Sequence, residues 1–102
     1  MEGAGYLVVT RWRFAGPKHA DLARVRFRAG FGPLVRAQPG CRRWYLAAVG
    51  VHELLTVSLW DSADAFAAAE PTLRAWRQAH LEHLGARVLD RRWGALAAHA
   101  GR

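Results

Sequence analysis

The chain has 102 residues, of which 52% are hydrophobic, and carries 15 Lys and Arg against 8 Asp and Glu, a formal net charge of +7. That length corresponds to one domain with a small core, and no apolar run approaches the roughly 18 residues that a membrane-spanning helix needs. Because the arginines occur singly along the chain, we expect a solvated basic surface and no nucleic-acid partner.

The first predicted elements are a strand over residues 6–14 and a helix that begins near residue 19 or 20. Alternation along the strand places Arg11 on one face and Thr10 and Trp12 on the other. The helix is expected to bury one apolar stripe and to be interrupted, with a kink or a second short helix ending by residue 38. The predicted stripe consists of Leu22, Val25 and Ala29, and the interrupting residues are Gly30, Gly32 and Pro33.

The middle of the chain predicts a hairpin followed directly by a long helix. Residues 41–49 and 51–60 are apolar segments separated by one glycine, which indicates two antiparallel strands. The helix is expected over residues 62–84 with almost no preceding loop. Asp61 or Ser62 would supply the side-chain oxygen that caps its first turn.

The last predicted element is a strand over residues 87–96, after a helix that is expected to bend or restart at Pro71. The order is therefore β-α-β-β-α-β, which is the ferredoxin-like α+β arrangement of a four-stranded antiparallel sheet with two helices on one face. The strands carry apolar residues on both faces, and the chain has five tryptophans. We therefore expect a second copy of the chain to cover the free face in a homodimer.

Three segments make the chain resemble one known family. They are Val8-Val9-Thr10-Arg11-Trp12-Arg13-Phe14, Gln38-Pro39-Gly40-Cys41 and Leu59-Trp60-Asp61-Ser62-Ala63-Asp64-Ala65-Phe66. On these residues the chain resembles the antibiotic-biosynthesis-monooxygenase-like family of the dimeric α+β barrel superfamily, over about residues 6–96. The resemblance implies a single domain over residues 1–102, a dimeric barrel, and a ligand pocket between the helices and the sheet.

Relatives in that superfamily include cofactor-free oxygenases of aromatic polyketides, quinol oxygenases and haem-degrading enzymes. The resemblance therefore implies a cofactor-independent monooxygenase that acts on a small aromatic polyketide or a quinol. Such an enzyme deprotonates an electron-rich phenol or hydroquinone, and the resulting anion passes an electron to oxygen. Two alternatives stay open: a non-catalytic dimer that binds haem or another hydrophobic molecule, and a structural or regulatory dimer whose pocket is filled by its own tryptophans.

The resemblance also assigns site residues on the first and third strands and on the second helix. His80 is the expected base and Arg11 the expected stabiliser of the substrate anion. The expected substrate-binding residues are Thr10, Trp12, Trp60 and Trp76. Trp60 has the alternative role of a core aromatic at the corner between strand and helix. His80 matches the histidine of the haem-degrading relatives, but their asparagine and tryptophan have no counterpart, so no cofactor is expected.

The remaining histidines and the cysteine are expected to have no chemical role. His80 and His83 lie three residues apart on one helix face, but a metal site needs a third ligand, so none is expected. Cys41 is expected to be a packed residue, and as the only cysteine it excludes an intramolecular disulfide. With no basic and apolar leader at the N-terminus, the sequence favours the cytoplasm.

Overall fold

A computed structural model describes residues 5–97 and contains a four-stranded antiparallel sheet. The strands are β1 (Tyr6–Arg13), β2 (Cys41–Ala48), β3 (Glu53–Trp60) and β4 (Arg87–Ala95), in the spatial order β2-β3-β1-β4. The helices are α1 (Pro17–Arg26), α2 (Gly32–Arg36) and α3 (Ala63–His80), with a π-helical turn at Phe27–Phe31 and a 3₁₀ turn at Glu82–Leu84. The predicted ferredoxin-like α+β fold is confirmed.

The two faces of the sheet lie in different environments, as the alternation of β1 predicts. The face under the helices, here called the inner face, carries Val8, Thr10 and Trp12, each at most 4% exposed. Trp12 contacts Phe27 across the layers, with the ring centroids 5.6 Å apart. Arg11 points to the opposite, outer face and is exposed. The core therefore lies between the inner face and the helices.

The predicted apolar stripe of the first helix is wrong. Leu22 and Val25 are 41% and 58% exposed, and Ala29 is also exposed. The buried positions are Ala20, Ala23, Phe27 and Phe31. Small alanine side chains let the backbone of α1 approach the sheet, and the two phenylalanines then fill the core. A stripe predicted from Leu and Val misses this, because it does not treat alanine as a buried residue. The helix also begins earlier than predicted, because proline suits the first helical position.

The predicted interruption of the first helix is confirmed and takes the form of the π-helical turn. Pro33 has no N–H to donate to the carbonyl four residues before it, so the regular helical bonding stops there. The N–H of the preceding Gly32 bonds to the carbonyl of Phe27, five residues back, which is the π-helical pattern. The glycines of this segment leave room for two tryptophans. A Cβ added at Gly30 would lie 3.1 Å from Cζ2 of Trp76, and one at Gly32 would lie 2.8 Å from Cζ3 of Trp44.

The third helix follows β3 directly, as predicted, and Ser62 is its cap. The Ser62 Oγ accepts a hydrogen bond from the Ala65 N–H at 3.1 Å. The helix continues through Pro71 without restarting and ends at His80, four residues before its predicted end. Of the helices within residues 5–97, none has both the length and the apolar character required to cross a membrane.

Candidate functional site

A polar network lies on the inner face, between α3 and the strands β1 and β4. Glu70 accepts hydrogen bonds from Nη1 and Nη2 of Arg77 at 3.4 and 3.1 Å, and from Nη1 of Arg91 at 3.1 Å. The Nε of Arg91 also donates to the Thr10 Oγ1 at 3.1 Å. The three charged side chains are only 14% to 21% exposed. We call these four residues the Glu70 network.

The secondary structure brings the members of the Glu70 network together. Glu70 and Arg77 are seven residues apart on α3, which is close to two helical turns, so both face the sheet. Thr10 and Arg91 are directly opposite each other in the β1–β4 register, so their side chains share the inner face. The buried Thr10 of the sheet thus holds Arg91 in position, and α3 supplies the carboxylate of Glu70 from the helix layer.

The network combines two guanidiniums with one carboxylate and holds them in a shielded position. Burial alone would raise the pKa of Glu70, but the hydrogen bonds and charges of Arg77 and Arg91 outweigh it and lower that pKa. Burial and the charge of Arg77 lower the pKa of Arg91, while Glu70 partly offsets them. Glu70 is therefore a carboxylate at neutral pH, and the network keeps one net positive charge that favours an anion nearby.

Aromatic surface adjoins this charge at Trp12. The Cζ of Arg77 lies 5.7 Å from the ring centroid of Trp12, whose Nε1 donates to the Thr56 Oγ1 at 2.9 Å. Beside Trp12 and Arg77 is a cavity of about 110 Å³ at the end of α3. Trp93 stands two residues beyond Arg91 on the same strand face and is 60% exposed. Trp93 also lines a cavity of about 210 Å³ together with Leu7 and Val9 of the outer face. The aromatic ring in measured contact with the network is therefore that of Trp12.

The structure places Thr10 and Trp12, two of the predicted site residues, in or against the Glu70 network. Trp60 lies elsewhere, completely buried at the end of β3 with its Nε1 bonded to the Ser58 Oγ at 2.8 Å. It packs edge-on against Phe66, with the centroids 5.5 Å apart. This is the geometry of the core aromatic that was the alternative interpretation of Trp60.

Trp76 and His80 form a neighbouring aromatic group on the side of α3 that faces the first helix. The ring of Trp76 lies 5.0 Å from that of Phe31 and 4.7 Å from that of His80. His80 itself is exposed, and its carbonyl accepts a hydrogen bond from Nη1 of Arg26 at 2.6 Å. The same Nη1 lies 2.8 Å from the Nε2 of His83. His80 is one turn beyond Arg77 on α3 and makes no hydrogen bond to the Glu70 network within residues 5–97.

Arg11 is not brought together with the other predicted site residues. It lies on the outer face and pairs with Glu53 at 3.2 Å between Nη2 and Oε1. The physical reason is the alternation of side chains along β1, which sends Arg11 and Thr10 to opposite faces. Arg91, opposite Thr10 on β4, is the arginine that the inner face receives instead.

Sequence reasoning missed Glu70, Arg77 and Arg91. The seven-residue spacing of Glu70 and Arg77 is a usable helix signal, but it does not say which strand they face. A register shift between β1 and β4 falls between Arg11 and Trp12, and such a shift cannot be read from a strand pattern. Within residues 5–97, no group of three or more His, Cys, Asp or Glu is placed to hold a metal ion.

Comparison with known proteins gives no match to a family model or to a curated sequence, but it does give solved structures. SnoaB, a cofactor-independent oxygenase from Streptomyces nogalater, is 18% identical, with a TM-score of 0.72 over 98% of this chain and 100% of that one. The monooxygenase from ActVA-Orf6 of Streptomyces coelicolor, solved with nanaomycin D, is 18% identical, with a TM-score of 0.71 over 97% and 93%.

A third similar structure is a dimeric ferredoxin-like protein from an uncultured marine organism. It is 13% identical to this chain, with a TM-score of 0.80 over 96% of this chain and 99% of that one. At such identities the likeness concerns the fold, and it does so over almost the whole length of both chains. The chain therefore has the fold of the antibiotic-biosynthesis-monooxygenase-like proteins, as the sequence resemblance predicts.

Proposed function

We propose that this protein is a cofactor-independent monooxygenase that oxidises a small aromatic polyketide or a quinol. The observation that carries the proposal is the Glu70 network, a shielded net positive charge in contact with the ring of Trp12. A positive charge held in a poorly hydrated site stabilises a substrate anion without needing to reorganise. The oxygenase activity of SnoaB, which has the same fold, agrees with this proposal.

The reaction can be written for an anthrone, a three-ring ketone with one oxidisable CH₂ group. Loss of a proton gives an enolate, whose oxygen faces Arg91. The enolate transfers one electron to O₂, and the two radicals combine into a peroxide at the former CH₂ carbon. Loss of water then leaves a quinone carbonyl, so that CH₂ and O₂ become C=O and H₂O. The substrate supplies all the electrons, and this stoichiometry needs no external reductant.

In this proposal Arg91, and not Arg11, stabilises the substrate anion, and every other predicted site residue keeps a role. Arg91 uses two of its five N–H donors on Thr10 and Glu70, which leaves three for the substrate oxygen. His80 is the proposed base, because an exposed imidazole can pass the proton on to water. Trp12 and Trp76 are proposed to line the ring-binding space. Trp60 is proposed to support that space from the core.

Haem binding has less support than oxidation without a cofactor. A haem ring needs an enclosed apolar cleft beside its axial ligand, whereas His80 is exposed at the end of α3 and its ring packs on Trp76. If added haem nevertheless gives a Soret band that His80→Ala abolishes, the haem-binding alternative is correct. The cytoplasm is the proposed location, on the strength of the single cysteine.

The proposal includes a homodimer joined through the outer face of the sheet. The centre of that face is apolar and only half-buried in one chain, and Tyr45 beside it is 57% exposed. Its apolar residues are Leu7, Val9, Leu55, Val57 and Leu59. Light scattering after gel filtration is expected to give twice the chain mass, and Val57→Lys is expected to give the single chain. A wild-type monomer at working concentration would refute the dimer.

The activity is tested by oxygen uptake with anthrone and with a hydroquinone, using protein treated with a chelator and free of flavin. With ¹⁸O₂, one labelled atom is expected in the new quinone carbonyl and the other in water. Heat-denatured protein is the control for spontaneous oxidation. The proposal is wrong if the folded protein oxidises neither compound faster than this control.

A further inference from the structure

A second concave surface lies beside α2, at the β2 edge of the sheet, whereas the Glu70 network lies at the β4 edge. It is a groove of about 520 Å³, which is the size range of small-molecule sites. Its lining residues are Arg28, Gly32, Pro33, Arg36, Ala37 and Trp44. We call it the α2 groove.

The α2 groove carries two positive charges and no lining carboxylate. Arg28 and Arg36 are exposed, and neither has an ion-pair partner within the part of the chain that the structure describes. By contrast, Arg24, about one turn before Arg28, pairs with Asp21 at 3.6 Å. Two guanidiniums that line one groove without a counter-ion attract carboxylates, which they can hold by two parallel hydrogen bonds each.

The rest of the lining is flat or small. The half-buried indole of Trp44 forms one wall, and its Cζ3 edge rests on Gly32, where any side chain would collide. Pro33 and Ala37 add apolar surface without filling the space. The π-helical turn that positions Gly32 against Trp44 is a costly irregularity of a kind often found at functional sites.

We infer that the α2 groove binds a flat aromatic dicarboxylate, with the ring against Trp44 and the carboxylates on Arg28 and Arg36. The indole and proline contacts favour a ring, and the two unpaired guanidiniums favour an anion at either end of it. This site is separate from the Glu70 network, and the inference stands whether or not the protein is an oxygenase.

The inference is tested by titrating ¹⁵N-labelled protein with naphthalene-2,6-dicarboxylate and following the five indole N–H signals by NMR. The Trp44 signal, identified by its loss in Trp44→Phe, is expected to shift most. Arg28→Gln and Arg36→Gln are each expected to weaken binding about tenfold, the effect of one charge-assisted hydrogen bond. Ala37→Glu, which adds a carboxylate to the groove, is expected to abolish binding.

Three controls test whether binding depends on this groove and on the charge of the probe. Arg24→Gln, one turn before Arg28 and outside the groove, is expected to leave the affinity unchanged, and so is Arg91→Gln in the Glu70 network. The neutral dimethyl ester of the probe is expected not to bind. The inference is overturned if the dicarboxylate does not bind, if the ester binds equally well, or if Arg24→Gln or Arg91→Gln weakens binding as much as Arg28→Gln.

Discussion

The two halves of the inner face differ in how the N–H group of a tryptophan is accommodated. In the half under α3, the Trp12 N–H donates to Thr56, and the charged groups above it are paired with each other. In the half under α2, the Nε1 of Trp44 is buried and has no hydrogen-bond partner within residues 5–97. The first half is held by a connected polar network, and the second is held by shape, with glycine making room for the indole.

This difference concerns how the polar groups around each tryptophan are held in place. A connected polar network fixes the positions of its charges, which an active site requires. A tryptophan with an unpaired donor contributes contact area but incurs a desolvation cost. The following substitutions compare the two halves, from the largest expected change to the smallest.

Glu70→Gln is expected to have the largest effect on stability, because it leaves Arg77 and Arg91 half-buried without their carboxylate. The expected loss in the free energy of unfolding is about 3 kcal/mol at pH 7. Because the folded-state pKa of Glu70 is lowered, the wild-type advantage is complete above its ordinary value of 4.5 and disappears as the pH falls through the lower, folded-state value. Urea unfolding at several pH values measures this.

The matched control for that experiment is Glu82→Gln, which removes an exposed carboxylate that lines the cavity beside Arg77. It is expected to change the stability by no more than about 0.5 kcal/mol. If Glu70→Gln behaves like Glu82→Gln at every pH, the Glu70 network does not stabilise the fold, and ion pairing does not distinguish the two halves.

Trp12→Phe and Trp44→Phe remove the same atoms from the two halves. Trp12→Phe is expected to cost about 2 kcal/mol, because it also breaks the bond to Thr56 and leaves that hydroxyl unpaired in the core. Trp44→Phe removes a donor that has no partner, so its expected cost is below about 1 kcal/mol. Thermal or urea unfolding of both variants gives the comparison, and equal losses would contradict it.

Gly32→Ala tests the packing of the α2 half alone. The added methyl would lie 2.8 Å from Cζ3 of Trp44, so the indole must move. The collision is partly offset by the better helix propensity of alanine, which leaves an expected loss of about 1 kcal/mol. Gly94→Ala is the control, because nothing lies within 4 Å of its added carbon. Equal stability of the two variants would show that the packing of Trp44 against Gly32 leaves room for a methyl group.

The fold was predictable because its signals are local. Each strand has its own apolar pattern, and Ser62 caps the third helix where the sequence indicates. The stripe of the first helix was not predictable in this way. Whether Ala23 or Leu22 is buried depends on how closely the helix approaches the sheet, and that distance is a property of the assembled core.

The candidate site was predictable only in part, since it joins residues far apart in the chain. The face that Thr10 and Trp12 share follows from alternation along a single strand, and their place in the site follows from the resemblance. Arg91 lies 81 residues from Thr10, and its orientation depends on the register shift between β1 and β4. The sequence predicts Arg11 as the anion stabiliser because it lies in the segment that resembles the oxygenases. Alternation along β1, however, places its side chain on the outer face, away from the helices.

The most direct test of the proposed function compares Arg91→Gln with Arg11→Gln in the oxygen-uptake assay with anthrone. Removing Arg91 is expected to lower kcat about 100-fold, the usual cost of losing one donor to a developing anion. Removing Arg11, on the outer face, is expected to change kcat by no more than about twofold. If Arg91→Gln keeps the wild-type rate, or if Arg11→Gln loses as much as Arg91→Gln, the Glu70 network is not the site of oxidation.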